Sequence, residues 1–145
     1  MKKCLLGVLA IAFLSTSISC SKDDDESSTQ SIIGKWRTEK FDYYTDGQFI
    51  ESETTIEENS TCPDYIEFKA NGNYESIDKN VDCVSSIDES GTYVFNGNTL
   101  TNSSNSSITI GTVKSLSSTD LKIEFTETSS EGVVYKNVGY FKKIN

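Results

Sequence analysis

Four cysteines and no histidine set the chemistry open to this chain of 145 residues. Without an imidazole the usual general base is missing, and so are Ser–His and Cys–His nucleophiles and most metal sites. Thiols and carboxylates remain. Acids number 22 against 13 Lys and Arg, for a net charge of -9. Glu51, Glu53, Glu57 and Glu58 form an acidic stretch. It reads as a solvated face, because nothing singles out the two members of a glycosidase pair. A phosphate backbone needs cations to replace its counterions, so nucleic acid is excluded as a partner. The expectation is a protein that is not an enzyme and holds no cofactor or metal.

The thiols divide by position. Lys2 and Lys3 precede an apolar run, Leu5 to Leu14, then a small polar segment, Ser15 to Ser19, and Cys20. This is the three-part pattern of a secretory signal peptide. Ten apolar residues make only about 15 Å of helix, too short to span a bilayer. The segment ends at a cysteine rather than at A-x-A, and there it resembles the lipobox of bacterial lipoproteins. The resemblance implies cleavage before Cys20, diacylglyceryl on its thiol and acylation of its new amino group. Ser19 suits the residue before the cut; Ser17 departs from the commoner Leu or Val. Cys4 has nothing before it to be removed. Each buried CH₂ contributes about 0.8 kcal/mol, so three acyl chains hold a domain to a membrane permanently.

Ser21-Lys22-Asp23-Asp24-Asp25-Glu26 and the following Ser/Thr/Gln residues have the composition of a disordered tether. The acidic run lacks the turn glycine and distal glutamate of a Ca²⁺ loop. Placed just after an acylated cysteine, it is similar to the export signal of Bacteroidota surface lipoproteins. The organisation expected is a signal peptide at 1–19, an acylated tether at 20–31 and one folded domain at 32–145.

From Ile32 onward the punctuation is all-β. Asp46-Gly47, Asn71-Gly72 and Asn96-Gly97 divide segments rich in Thr, Ser, Tyr, Val, Ile and Phe. Leu121-Lys122-Ile123-Glu124-Phe125 alternates apolar and polar, which puts Leu121, Ile123 and Phe125 on one face. Strands are expected at 33–44, 48–56, 64–69, 73–78, 91–95, 98–102, 107–116, 120–128 and 132–143. The Asn-Gly pairs read as type I′ hairpins. Eight to nine strands joined by tight turns form a meander, and closing it removes exposed edges. The fold class expected is a small antiparallel up-and-down β-barrel. Cys62 and Cys83 are centred on the Asn71-Gly72-Asn73 turn. An oxidising compartment and the shortage of other metal ligands favour a disulfide between them over free thiols or a zinc pair. By chain entropy it is worth about 3 kcal/mol.

These residues resemble a known group, the lipocalin-like domain lipoproteins of Bacteroidota. Gly34-Lys35-Trp36 is similar to the G-x-W of lipocalin-like barrels. Tyr65 to Tyr74 after Cys62, and Ser90 to Phe95 after Cys83, resemble the family's two following blocks, with Tyr93 where Trp is usual. Leu116 to Ile123 resembles the penultimate hairpin. The resemblance implies an eight- to nine-stranded lipocalin-like barrel over 32–143. Trp36 plugs its closed end, and Lys142 or Lys143 covers that ring.

The reading that follows is a non-catalytic binding or interaction module. It is lipid-anchored at the outer membrane on the cell-surface side, the periplasmic leaflet being the alternative. Its ligand would be a small hydrophobic molecule or a glycan, or its partner a protein, with Lys79–Ser90 and Asn102–Ser107 as contact loops. Other readings are a carboxylate-based glycan hydrolase and a loop-presenting inhibitor of proteases or host factors. No residue is singled out for ligand contact.

Overall fold

The computed structural model describes residues 31–55 and 61–145. The signal peptide, Cys20, nearly all of the tether, and Glu57 and Glu58 lie outside the described residues.

Nine strands form one antiparallel sheet: β1 Gly34–Thr45, β2 Gln48–Thr54, β3 Tyr65–Phe68, β4 Asn73–Lys79, β5 Ser85–Asn96, β6 Thr99–Ser104, β7 Ile108–Leu116, β8 Asp120–Thr128 and β9 Val134–Ile144. From β3 to β9 each strand pairs with the next. β1 then closes the ring. One edge pairs along nearly its whole length with β9, from Lys35↔Ile144 to Thr45↔Tyr135. Its other edge is shared: Gly34–Trp36 pair with β3, and Lys40–Thr45 pair with β2. Eight strands make the barrel, and β2 is a ninth lying beside the open half of β1.

The turns follow local chemistry. Asp46 and Gly47 both take positive φ, 49° and 79°, as a type I′ hairpin demands. At Asn71-Gly72 the expected I′ turn does not form, because only Gly72 has positive φ. Gly72 N–H donates to the Lys69 carbonyl at 3.0 Å and Lys69 N–H to the Asn73 carbonyl at 2.8 Å. That is a type I turn closed by a left-handed glycine, and it supplies the same chain reversal with one more loop residue. Ser129 to Val133 repeats this pattern around Gly132.

Two expected loops are strands. β5 starts at Ser85, six residues before the expected 91, and pairs with β4 through Lys79↔Ser85 and Asp78↔Ser86. The Ser, Asp and Glu side chains there hide the strand from any hydrophobic pattern, while the backbone ladder needs none. Half of the Ser/Asn run, Asn102–Ser104, likewise belongs to β6. Only Asn105, Ser106 and Ser107 separate it from β7.

Trp36, Phe68, Tyr74, Leu100, Val113, Leu121, Ile123 and Phe141 fill the interior with Ile32, each less than a tenth exposed. Burying one such large side chain contributes roughly 1.5–3 kcal/mol. Phe41 meets Phe141 edge to face at 6.0 Å, and Tyr93 meets Phe68 at 5.0 Å. Cys62, just before β3, and Cys83, in the β4–β5 turn, form a disulfide with their Cα atoms 5.3 Å apart. It ties the start of β3 to the far end of its own hairpin.

Candidate functional site

The barrel is shut at one end around Trp36. Its indole is fully buried, and Nε1 donates to the Ile32 carbonyl at 2.7 Å. Lys143 Nζ stands 5.1 Å from the ring centroid and donates to the Ile33 carbonyl at 2.9 Å. Lys142, on the opposite face of β9, pairs with Asp120 instead. Strand alternation explains the division, since consecutive side chains leave a strand on opposite sides. Gly34 makes room for the lysine: at φ +133° a Cβ here would lie 2.6 Å from Lys143 Cε.

At the other end the interior turns polar and acidic. Tyr43 shares the inward face with Phe41, its ring centroid 6.3 Å away, and its hydroxyl donates to Glu53 Oε2 at 2.9 Å. That hydrogen bond raises the phenol pKa above its usual value, helped by burial and by the charges of Glu53 and Glu51. Nearer the closed end, beside the β3–β4 turn, Tyr74 is also pushed up, by burial first and then by Glu89. Tyr93 rises there through burial alone, and its hydroxyl donates to the Lys69 carbonyl of that turn at 2.9 Å. Asn102 is on the neighbouring inward register, opposite Tyr93 on one side and Thr109 on the other. Its Oδ1 is, among the described residues, the only buried side-chain polar atom with no hydrogen-bond partner.

Beside Asn102 the wall is split. β7 and β8 pair from Leu116↔Leu121 to Gly111↔Phe125 and then part. The same register would set Ile110 against Thr126, Thr109 against Glu127 and Ile108 against Thr128, but these pairs do not form. Each strand keeps only its other neighbour: Ile108, Thr109 and Ile110 stay on β6, and Thr126, Glu127 and Thr128 stay on β9. A cavity of about 400 Å³ occupies the fork, lined by Ile108–Ile110, Phe125–Glu127, Tyr135 and Asn137. Phe125 is its floor, because its ring lies where a Cβ on Gly111 would be, 2.8 Å from Cε1. Ile108 and Ile110 are more than half exposed, at 71% and 61%.

Carboxylates do not assemble a hydrolytic pair in this cavity, where Glu127 is the single acid. Among the described residues Asp78 is the one carboxyl raised above its ordinary value, by burial and by Asp88 and Asp64, and it lies on β4 outside the cavity. No cluster of three metal-ligating side chains occurs among the described residues. On the outer face Asp42 is buried, accepting from Ser52 Oγ at 2.7 Å and Lys40 Nζ at 2.9 Å, and both contacts lower its pKa. Lysine stems clad the outer tyrosines: Lys40 and Lys122 lie 4.3 and 4.8 Å from the Tyr140 ring, and Lys136 lies 4.2 Å from Tyr44.

The residues of the split were not singled out by sequence. Asn102 was read as the last residue of a strand and the first of a contact loop, not as an inward-facing acceptor. A strand pairing that stops three residues short leaves no mark in the chain, because alternation continues through it.

No curated protein matches this sequence. Among solved structures, a deswapped triple mutant of bovine odorant binding protein is 16% identical at a TM-score of 0.43, over 77% of this chain and 72% of that one. Bovine odorant binding protein in complex with undecanal is 18% identical at a TM-score of 0.43, over 86% and 78%. Residues 32–123 match the family model of the lipocalin-like domain. With more than half of its length covered, and with the closed barrel described above, the chain belongs to the lipocalin-like domain family.

Proposed function

We propose that this protein is a lipid-anchored lipoprotein whose barrel binds a small molecule at its open end without transforming it. The observation that carries the binding reading is the fork cavity. At about 400 Å³ it falls within the usual range of small-ligand sites and combines aromatic walls with a few polar groups. Family membership agrees with this, since a small closed barrel is a rigid frame for one ligand. The non-catalytic reading is supported by the lack of converging carboxylates in the cavity and by the absence of histidine from the whole sequence.

The anchor rests on the sequence: the signal peptide pattern ending at Cys20, with the acidic tether Ser21–Glu26 behind it. On this reading the mature chain begins at Cys20 and residues 20–31 hold the domain at 32–145 off the lipid. The outer membrane is the site, facing the cell surface, as the acidic run after the acylated cysteine supports. It would then meet ligands before they enter the cell.

Native mass spectrometry of the protein purified from its own membranes tests the binding reading. The expected result is a co-purifying mass of a few hundred daltons that Phe125→Ala removes while the fold persists. A bare barrel, together with no binding from a broad small-molecule screen, would defeat it.

A further inference from the structure

The fork between β7 and β8 has chemistry more specific than a greasy slot. Its lining holds no lysine or arginine, and Glu127 is its only charged side chain. The nearest cations are drawn to the other side of the sheet. Lys114 and Lys136 both reach Glu124 on the outer face, at 3.6 and 3.9 Å, and Lys136 also covers Tyr44. Further round the inner wall, Glu53 already takes the Tyr43 hydroxyl, and Glu89 faces Tyr74. The charge of the described residues that line the fork is therefore negative.

Hydrogen-bonding capacity is also left over. Asn102 Oδ1 is a buried acceptor without a donor, one strand behind the lining residue Thr109. The parted edges of β7 and β8 leave backbone carbonyls, and N–H groups with them, without a ladder partner on that side. Two aromatic residues, Phe125 and Tyr135, line the cavity, and aromatic rings attract cations. A carboxylate, aromatic rings and free carbonyls, with no cation in the lining, match one kind of ligand.

We infer that the β7–β8 fork is a binding site for an organic ammonium ion carrying an aromatic or aliphatic body. The charged nitrogen is held by Glu127 and carbonyls of the parted edges, and the body lies against Phe125 and Tyr135. The inference deepens the small-molecule reading above and rests on it. The three missing ladder pairs leave the opening through which the ligand enters.

The probes are 2-phenylethylammonium, its neutral match 2-phenylethanol and its anionic match phenylacetate, titrated into the ¹⁵N-labelled mature chain and followed by NMR. The ammonium should shift the amides of Ile108, Thr109, Ile110, Thr126 and Glu127, and bind more tightly than either match. Salt should weaken it, because the ion pair is partly exposed. Glu127→Gln should weaken the ammonium roughly fivefold, the upper worth of an exposed ion pair, and leave the alcohol unchanged. Tyr135→Leu should also weaken the ammonium more than the alcohol. If the alcohol or the carboxylate binds the fork as well as the ammonium does, the site stands and its ligand class is overturned. If none of the three moves these amides, the ammonium assignment is overturned. The binding reading itself is then judged by the co-purification experiment, which uses no chosen probe.

Discussion

Lys143 holds its ammonium 5.1 Å above the ring of Trp36 while donating to the Ile33 carbonyl, and Gly34 leaves the space for its stem. Removing the charge with Lys143→Met should lower stability by about 0.5–1 kcal/mol through the lost cation–π contact. Gly34→Ala should cost more, because it strains the backbone at φ +133° and displaces the lysine as well. Trp36 is the only tryptophan. Its fluorescence during urea unfolding therefore reads both variants directly, and a neutral Lys143→Met would show that the lid contributes nothing.

Reducing Cys62–Cys83 should lower the unfolding free energy by about 3 kcal/mol, the entropy of reopening the loop between them. The Cys62→Ala, Cys83→Ala double variant should unfold at the same denaturant concentration as the reduced protein. Intact mass of the exported protein should be lower by two hydrogens than that of its reduced form. Free thiols in that material would contradict the pairing.

Asp42 links β1 to β2 through Ser52 and to Lys40 on its own strand, and both contacts hold its carboxyl below the usual value. The stability from this carboxylate is complete above the unfolded pKa of about 3.9 and is lost as pH falls through the lower folded value. Asp42→Asn should therefore destabilise the protein at neutral pH, with the gap to the parent narrowing below about pH 4. Asp78 has the opposite sign, because its folded value is raised. Asp78→Asn should stabilise slightly at neutral pH, and that gain should vanish in acid. Thermal melts across the pH range check both.

Gly91 faces the backbone of β6 so closely that a Cβ would lie 2.1 Å from the Ser103 carbonyl oxygen, with Tyr74 Cε1 at 3.0 Å. Neither the backbone nor a buried ring can yield cheaply. Gly91→Ala should cost roughly 1–3 kcal/mol, the range for overpacking a tight interior. A melting temperature equal to the parent's would mean that β5 and β6 are further apart than described.

Cys20→Ala should move the protein from the membrane fraction to the soluble one after cell lysis. Metabolic labelling with a radioactive fatty acid should mark the parent and not the variant. Retention of the variant on membranes would remove Cys20 as the anchor.

The strands carrying apolar alternation, such as Leu121-Lys122-Ile123-Glu124-Phe125, were legible because burial on one face leaves a two-residue period. Asp46-Gly47 was legible because two positive φ values restrict the residues that fit. The cysteine pair was legible from its symmetry about the Gly72 turn. Ser85–Ser90 was not, because a strand held by backbone ladder bonds with exposed side chains needs no apolar residue. Ser103 and Ser104 were hidden in a Ser/Asn run for the same reason, and nothing in the pattern marked Asn102 as standing inside the barrel.

Strand order, the closing pairs between β1 and β9, and the point where β7 leaves β8 belong to the tertiary structure alone. Local pattern tells which face of a strand is buried. Which neighbour it takes, and how far along, depends on the twist and closure of the whole sheet. The fork at Gly111 and Phe125, and with it the cavity, exists only because each of those strands keeps one partner and releases the other.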